Sequence, residues 1–255
     1  MTASLRLIRT FCLLDLLRYS RQKGAVVSIF LLPLMLFYVI GSGASAMSDT
    51  GVRYVQFILP GVTILAVTLT TSVNAARYMG DRMHGFLRLS FLAPISRSAI
   101  FVSKLISSSL LSFLHAMLFL LLFPVASIAL EPRSVAVFAG VVLLVCVALN
   151  AIALALASLC TAYESLQVMI SCIHGPLAHV STAYFPLSSF PEPLRVLVSI
   201  NPISHALDAM RHSMLSTDTA SRLHPDFAFS TDLSWLAGFT LLCVLLSYRA
   251  FRDAA

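Results

Sequence analysis

The chain has 255 residues, 58% hydrophobic and only 11% charged, where a soluble domain carries about 25% charged residues. So few charges cannot cover the surface of a soluble protein of this size, so its bulk faces lipid. The net charge of +6 is scattered along the chain, and no basic patch interleaves with aromatics, which excludes a nucleic-acid groove. In chain order, residues 4 to 21 come first. Leu5, Ile8, Cys12, Leu16 and Tyr19 recur at helical spacing on one face, with arginines off it. That pattern predicts a helix over residues 1–23 lying along the membrane surface.

Charge-poor windows then follow one another. They run from Gly24 to Ser48, Tyr54 to Ala76, Ser98 to Leu130 (interrupted by Lys104), Ser134 to Tyr163, Ser165 to Pro191, and Leu233 to Tyr248. A bilayer core of about 30 Å needs roughly 20 helical residues. The last window is short, but Arg249 beside it can snorkel. The reading is an all-α membrane protein with six transmembrane helices. Strands of a lipid-facing barrel would be about 10 residues long and alternating, and these windows are neither. With the N-terminus inside, 12 of the 17 Lys and Arg fall on the inner side, which places both termini in the cytoplasm.

Two polar segments stand out between the windows. Residues 77–98, on the inner side, hold "GDRMHGFLRLSFLAPISRS" and suffice for a short surface helix. Residues 186–232, on the outer side, hold Pro186, Pro191 and Pro193, which break any continuous helix. A new helix can start after Asn201-Pro202, with Ile203, Leu207, Met210 and Met214 on one face. Short helices of this kind suit an outer cap or a re-entrant hairpin.

Catalytic signatures are missing. There is no G-x-x-x-x-G-K-[ST], no H-E-x-x-H and no G-x-S-x-G. The five cysteines lie in apolar segments with no C-x-x-C pair, so they read as buried hydrophobes, neither disulfide nor metal ligand. No enzyme active site is legible, and the chain has no phosphate-gripping loop of its own.

The stretch "GDRMHGFLRLSFLAPISRSAIFVSK" resembles the inner loop of type-2 ABC exporter permeases, including the drug-resistance, nodulation-factor and polysaccharide export permeases. The resemblance rests on Asp81-Arg82, Gly85, Leu89 and Leu92, Pro94-Ile95-Ser96-Arg97 and the later Lys104. "FPLSSFPEPLR" at 185–195 and "NPISHALDAMR" at 201–211 look like that family's outer signature before the last helix. Asp81 stands where Glu is commoner, and Arg88 near a position that is often acidic.

The resemblance implies residues 24–255 as an ABC-2 transmembrane domain, with the cytosolic coupling helix between helices 2 and 3. It implies two permease subunits, identical or related, with two separate ABC ATPase subunits that bind ATP and Mg, in a bacterial inner membrane. No cofactor is then held by this chain. Asp81, Arg82, Gly85, Phe86, Arg88, Leu89, Pro94 and Arg97 become the expected contact with the ATPase. The arginines would meet carboxylates, Phe86 and Leu89 would meet an apolar groove, and Gly85 would allow close backbone approach.

The resemblance also implies a pathway lined by helices 2 and 5, and Thr68, Thr71, Asn74, Ser171, His174 and His179 are its candidates. For single hydroxyls, helix packing is the leading alternative. His174, before Gly175-Pro176, is read first as a ring satisfying backbone at a kink, with cargo contact or titration as alternatives. The cargo expected from an apolar lining is a drug-like or lipid-like amphiphile. A lipid-linked glycan or lipo-oligosaccharide is the alternative, and a wide aromatic-lined groove would favour it. A secondary transporter would need an inverted repeat of helices, and the inner charged loop has no counterpart after the fifth window.

Overall fold

The computed structural model describes residues 2–21, 23–46, 54–86, 96–128, 131–214 and 225–254. Among them the chain is helical throughout: α1 (Thr2–Arg21), α2 (Lys23–Ala46), α3 (Tyr54–Met83), α4 (Arg97–Met117), α5 (Pro132–Leu159), α6 (Tyr163–His179), α7 (Glu192–Ile200), α8 (Pro202–Met214) and α9 (Phe229–Ala254). Helix starts follow local chemistry. The Ser96 hydroxyl accepts from the Ala99 N–H at 3.3 Å and caps α4. Pro132 and Pro202 open α5 and α8, where a missing N–H costs nothing.

Four helical segments are long and apolar enough to cross a membrane: Tyr54–Met83, Arg97–Leu122, Pro132–Leu159 and Phe229–Asp253. The segment Val27–Gly41 within α2 is a shorter apolar helix. Three windows change shape. The second extends through Arg77, Asp81 and Arg82, because those charges find partners inside the bundle. The third does not run helically to Leu130. It tightens into a 3-10 turn at Leu118–Leu122, then turns through Pro124 with Ser127 at φ 58°. The fifth stops at His179, well short of Pro191, and Asn201 takes over the end of that helix. The Asn201 amide donates to the carbonyls of Leu177 (2.9 Å) and Val180 (2.5 Å), groups a helix end leaves orphaned.

Helix α3 is the axis. Its 30 residues make a rod of about 45 Å, so Tyr54 and Met83 mark opposite ends of the bundle. α2, α4, α5 and α6 pack around it, α9 packs along α5, and α1 lies against α4. The core is one apolar column, from Phe37, Leu59 and Phe138 in the Tyr54 half to Met79, Phe101 and Phe251 in the Met83 half. Pro60 sits inside the continuous α3. Beside it a Cβ on Gly61 would meet the Ala183 carbonyl oxygen at 2.5 Å, so this glycine is a point of backbone contact rather than a break.

α8 is almost wholly buried against α5 and α9, while α7 buries only Val198. Outward-facing leucines on α9 (Leu241, Leu242, Leu245, Leu246) and Leu31, Leu32 and Met35 on α2 are about half exposed. An apolar skin of this extent matches a lipid environment.

Candidate functional site

At the Met83 end, a charged knot binds three helices. Lys104 Nζ on α4 lies 2.8 Å from Asp81 Oδ2 on α3 and 3.5 Å from Asp15 Oδ2 on α1. The Ser107 hydroxyl donates to Asp15 at 2.5 Å, and Arg18 of α1 reaches the other Asp81 oxygen at 3.1 Å. Lys104 is buried, with a side chain 6% exposed. Above the knot, Arg77 stacks 4.7 Å from the Tyr19 ring, whose hydroxyl meets His115 Nδ1 at 2.5 Å. A cavity of about 40 Å³ lies among Asp15, Asn74, Arg77, Asp81, Lys104 and Asn150.

Asp81 and Arg82 are therefore engaged within the chain. Arg82 Nη1 donates to the carbonyls of Ala157 (3.2 Å), Ser158 (2.5 Å) and Cys160 (3.0 Å). A cation on the last carbonyls of α5 complements both its orphan acceptors and its dipole. Gly85 takes φ +78°, with nothing within 4 Å of a built Cβ. Within this chain it serves the left-handed turn that ends α3. Phe86 lies 5.1 Å beneath the Arg18 guanidinium. Arg97 opens α4 and is exposed. Arg88, Leu89 and Pro94 lie outside the described residues.

The six pathway candidates are scattered. Thr68 and Thr71 turn their hydroxyls back to the carbonyls of Ile64 (2.9 Å) and Val67 (2.7 Å), a local bond available to threonine in any helix. Asn74 joins α3 to its neighbours. Its amide donates to the Ser108 carbonyl (3.0 Å), the Ser112 hydroxyl (3.1 Å) and Asn150 Oδ1 (3.1 Å). Ser171 is exposed on α6, and His179 pairs with the Gly175 carbonyl at 2.9 Å. His174 is buried near the Leu149 backbone, and neither ring nitrogen completes a hydrogen bond.

A different set of residues lines the large opening. A groove of about 580 Å³ runs between α2, α3 and α6, bounded by Ser28, Leu32, Leu69, Ser72, Val73 and Gln167, among others. None of the six candidates is on its wall. Its floor carries Arg77 and Gly80, so it reaches down to the charged end, and Tyr163 is its one aromatic.

The Tyr54 end carries a second polar cluster. Arg211, 2% exposed, donates to Thr182 Oγ1 (3.1 Å), to the Thr182 carbonyl (2.5 Å) and to the Phe57 carbonyl (3.4 Å). Its guanidinium lies 3.8 Å over the Phe57 ring, and burial pulls its pKa down to about 10. Asp232 accepts from His205 Nδ1 at 2.8 Å, while His205 Nε2 lies 2.9 Å from the Ser199 carbonyl. Burial pushes the Asp208 carboxyl up to about 6, against the opposing pull of the Phe227 N–H that it accepts at 2.8 Å. The sequence places Arg211 on the short outer helix after Pro202 but does not show that it is buried. The signal that could have found the cluster is Asp208, Arg211 and His212 on one or two turns of an otherwise apolar helix.

The family model of ABC-2 family transporter proteins matches residues 45–249. A transport permease, ycf38, of Cyanophora paradoxa is 25% identical over 231 residues, covering 88% of this chain and 77% of the relative. The ycf38 transport permease of Porphyra purpurea is 31% identical over 169 residues, 65% of this chain and 57% of that protein. A doxorubicin resistance ABC transporter permease, DrrC, of Mycobacterium tuberculosis is 22% identical over 246 residues, 94% of this chain and 86% of the relative.

Proposed function

This chain belongs to the ABC-2 transporter family as a membrane permease subunit of an ABC transporter, and we propose that it exports an amphipathic, drug-like or lipid-like molecule. In this reading six helices cross a bacterial inner membrane, both termini are cytoplasmic, and α1 rests on the inner leaflet with Leu13, Leu14 and Leu17 in lipid. A second permease subunit completes the path. Separate ATPase subunits hold ATP and Mg and press on residues 77–98.

The observation that carries the coupling role is the anchorage of that loop. Its base is tied by Asp81 to α1 and α4 and by Arg82 to the end of α5. A push on the loop is therefore delivered to four helices at once, because buried charge pairs resist separation. In this reading Arg88, together with Arg97 at the exposed start of α4, meets the partner's carboxylates. The groove between α2, α3 and α6 supports the cargo class. Its walls mix leucine and valine with Ser28, Ser72 and Gln167, which suits a molecule with an apolar body and a polar end. Among the described residues that line it, Tyr163 is the one aromatic, which favours an amphiphile over a glycan that would stack on several rings.

The test is coexpression of Arg88→Glu/Arg97→Glu with the ABC ATPase that copurifies with the parent chain, reading copurification and cargo-stimulated ATP hydrolysis. Charge reversal is expected to abolish both while the permease still elutes as a single species. Intact copurification would reject the docking role. Separately, Ser72→Trp is expected to block export without releasing the ATPase, and unchanged export would reject the groove as the path.

A further inference from the structure

Asp208, His212 and Asp232 meet at the Tyr54 end, each offering one ligand atom, and these atoms lie within 4.8 Å of one another. Asp208 and His212 stand four residues apart on α8, one helical turn, so both project from one face. Asp232 comes from the first turn of α9. The two carboxylates are 1% and 0% exposed, and Asp208 Oδ1 and Asp232 Oδ2 each have no hydrogen-bond partner. Two buried, unpartnered carboxylate oxygens beside an imidazole are costly unless a cation joins them. Arg211 attracts Asp208 from nearby, but its hydrogen bonds go to Thr182 and Phe57, so Asp208 Oδ1 and Asp232 Oδ2 stay unbonded.

We infer that Asp208, His212 and Asp232 form a binding site for one divalent transition-metal ion of the zinc type, which staples α8 to the start of α9. Two carboxylates and one imidazole are a donor set suited to such an ion. Tetrahedral coordination at about 2.1 Å spaces its ligand atoms roughly 3.4 Å apart. His212 Nε2 lies 4.0 Å from Asp232 Oδ2, so closure takes small side-chain rotations rather than helix movement. That nitrogen also lies 2.9 Å from the Phe227 carbonyl. There it donates its N–H to that carbonyl, so binding takes the other tautomer, with the ring proton on Nδ1, and gives up that hydrogen bond. The outer shell is in place: His205 holds Asp232 Oδ1 at 2.8 Å, and the Phe227 N–H holds Asp208 Oδ2 at 2.8 Å. The His212 side chain is 29% exposed, which leaves a way in.

The test uses the untagged full chain in detergent, stripped with a chelator and then titrated with Zn²⁺. The readouts are metal content after gel filtration and thermal stability. One Zn²⁺ per chain and a raised melting temperature are expected. His212→Ala should weaken Zn²⁺ binding at least about 10-fold, and Asp208→Asn should do the same. His212→Cys, which supplies another zinc ligand, should retain the ion. His84→Ala, at the opposite end of the bundle, should bind as the parent does. No retained Zn²⁺, equal binding by His212→Ala, or displacement of Zn²⁺ by equimolar Mg²⁺ would each overturn the assignment.

Discussion

Replacing Lys104 by Met removes the buried cation that pairs with both Asp15 and Asp81 while keeping most of the side-chain volume. Asp81 would keep Arg18, but that side chain is 45% exposed and its pairing is weakened by solvent. Asp15 would keep the Ser107 hydroxyl at 2.5 Å and the longer-range attraction of Arg77 across the cavity. Two carboxylates with 17% and 14% side-chain exposure would then share a site without their counter-ion. Breaking a buried pair from one side costs about 3 kcal/mol or more. At about 2–4 °C per kcal/mol for a chain of this size, the melting temperature should fall by roughly 6–12 °C. The assay is the fraction of monodisperse protein surviving gel filtration after heating in detergent. Neutralising the stranded acids as well, in Lys104→Met/Asp15→Asn/Asp81→Asn, should recover most of the loss. A single variant as stable as the parent would refute the reasoning, as would a triple variant no better than the single.

Gly61→Ala should destabilise by about 1–3 kcal/mol, because its Cβ meets the Ala183 carbonyl oxygen at 2.5 Å; the same heating assay reads it, and a neutral result would mean α3 and residues 182–184 are not in contact. Asn74→Ala and Asn150→Ala should each cost about 1 kcal/mol, near the 0.6 kcal/mol average for a bond between membrane helices. Since they share Ser112, the double variant should lose less than the sum, and strict additivity would deny the network. Arg211→Lys keeps the charge but loses the planar fork and the stacking on Phe57; a drop of about 2 kcal/mol is expected, seen as faster proteolysis at the Tyr54 end, and parent-like resistance would show that the fork is not needed.

The long helices were legible because lipid imposes a coarse rule: some twenty residues without charge. Their ends were less so. Nothing local separates Val180 from His179; the helix stops there because Asn201, 21 residues on, accepts the task of binding the Val180 and Leu177 carbonyls. The charged knot was half visible. Asp81, Arg82 and Lys104 drew notice as a pattern, but their partners lie 63 to 78 positions away for Arg18 and for Ala157, Ser158 and Cys160, a pairing that periodicity cannot reveal. Asp15 escaped because a single acid on a basic helix looks like a solvated charge. The groove was not legible for a similar reason: Thr68 and Thr71 spend their hydroxyls on their own helix, and Leu32, Leu69 and Val73 share the wall with Ser28 and Ser72.

The enclosure of Arg211 constrains how this bundle can move. Its guanidinium reaches α8, α3 through Phe57 and the crossing at Thr182 together. Sliding any one of them away would strand a bare cation in an oily surrounding, a step far beyond thermal reach. Those three segments must therefore travel as a single keystone. Beside them α7 is lightly packed, burying only Val198 and held at its end through the Ser199 and Ile200 carbonyls, so it is the element that can shift without stranding that charge.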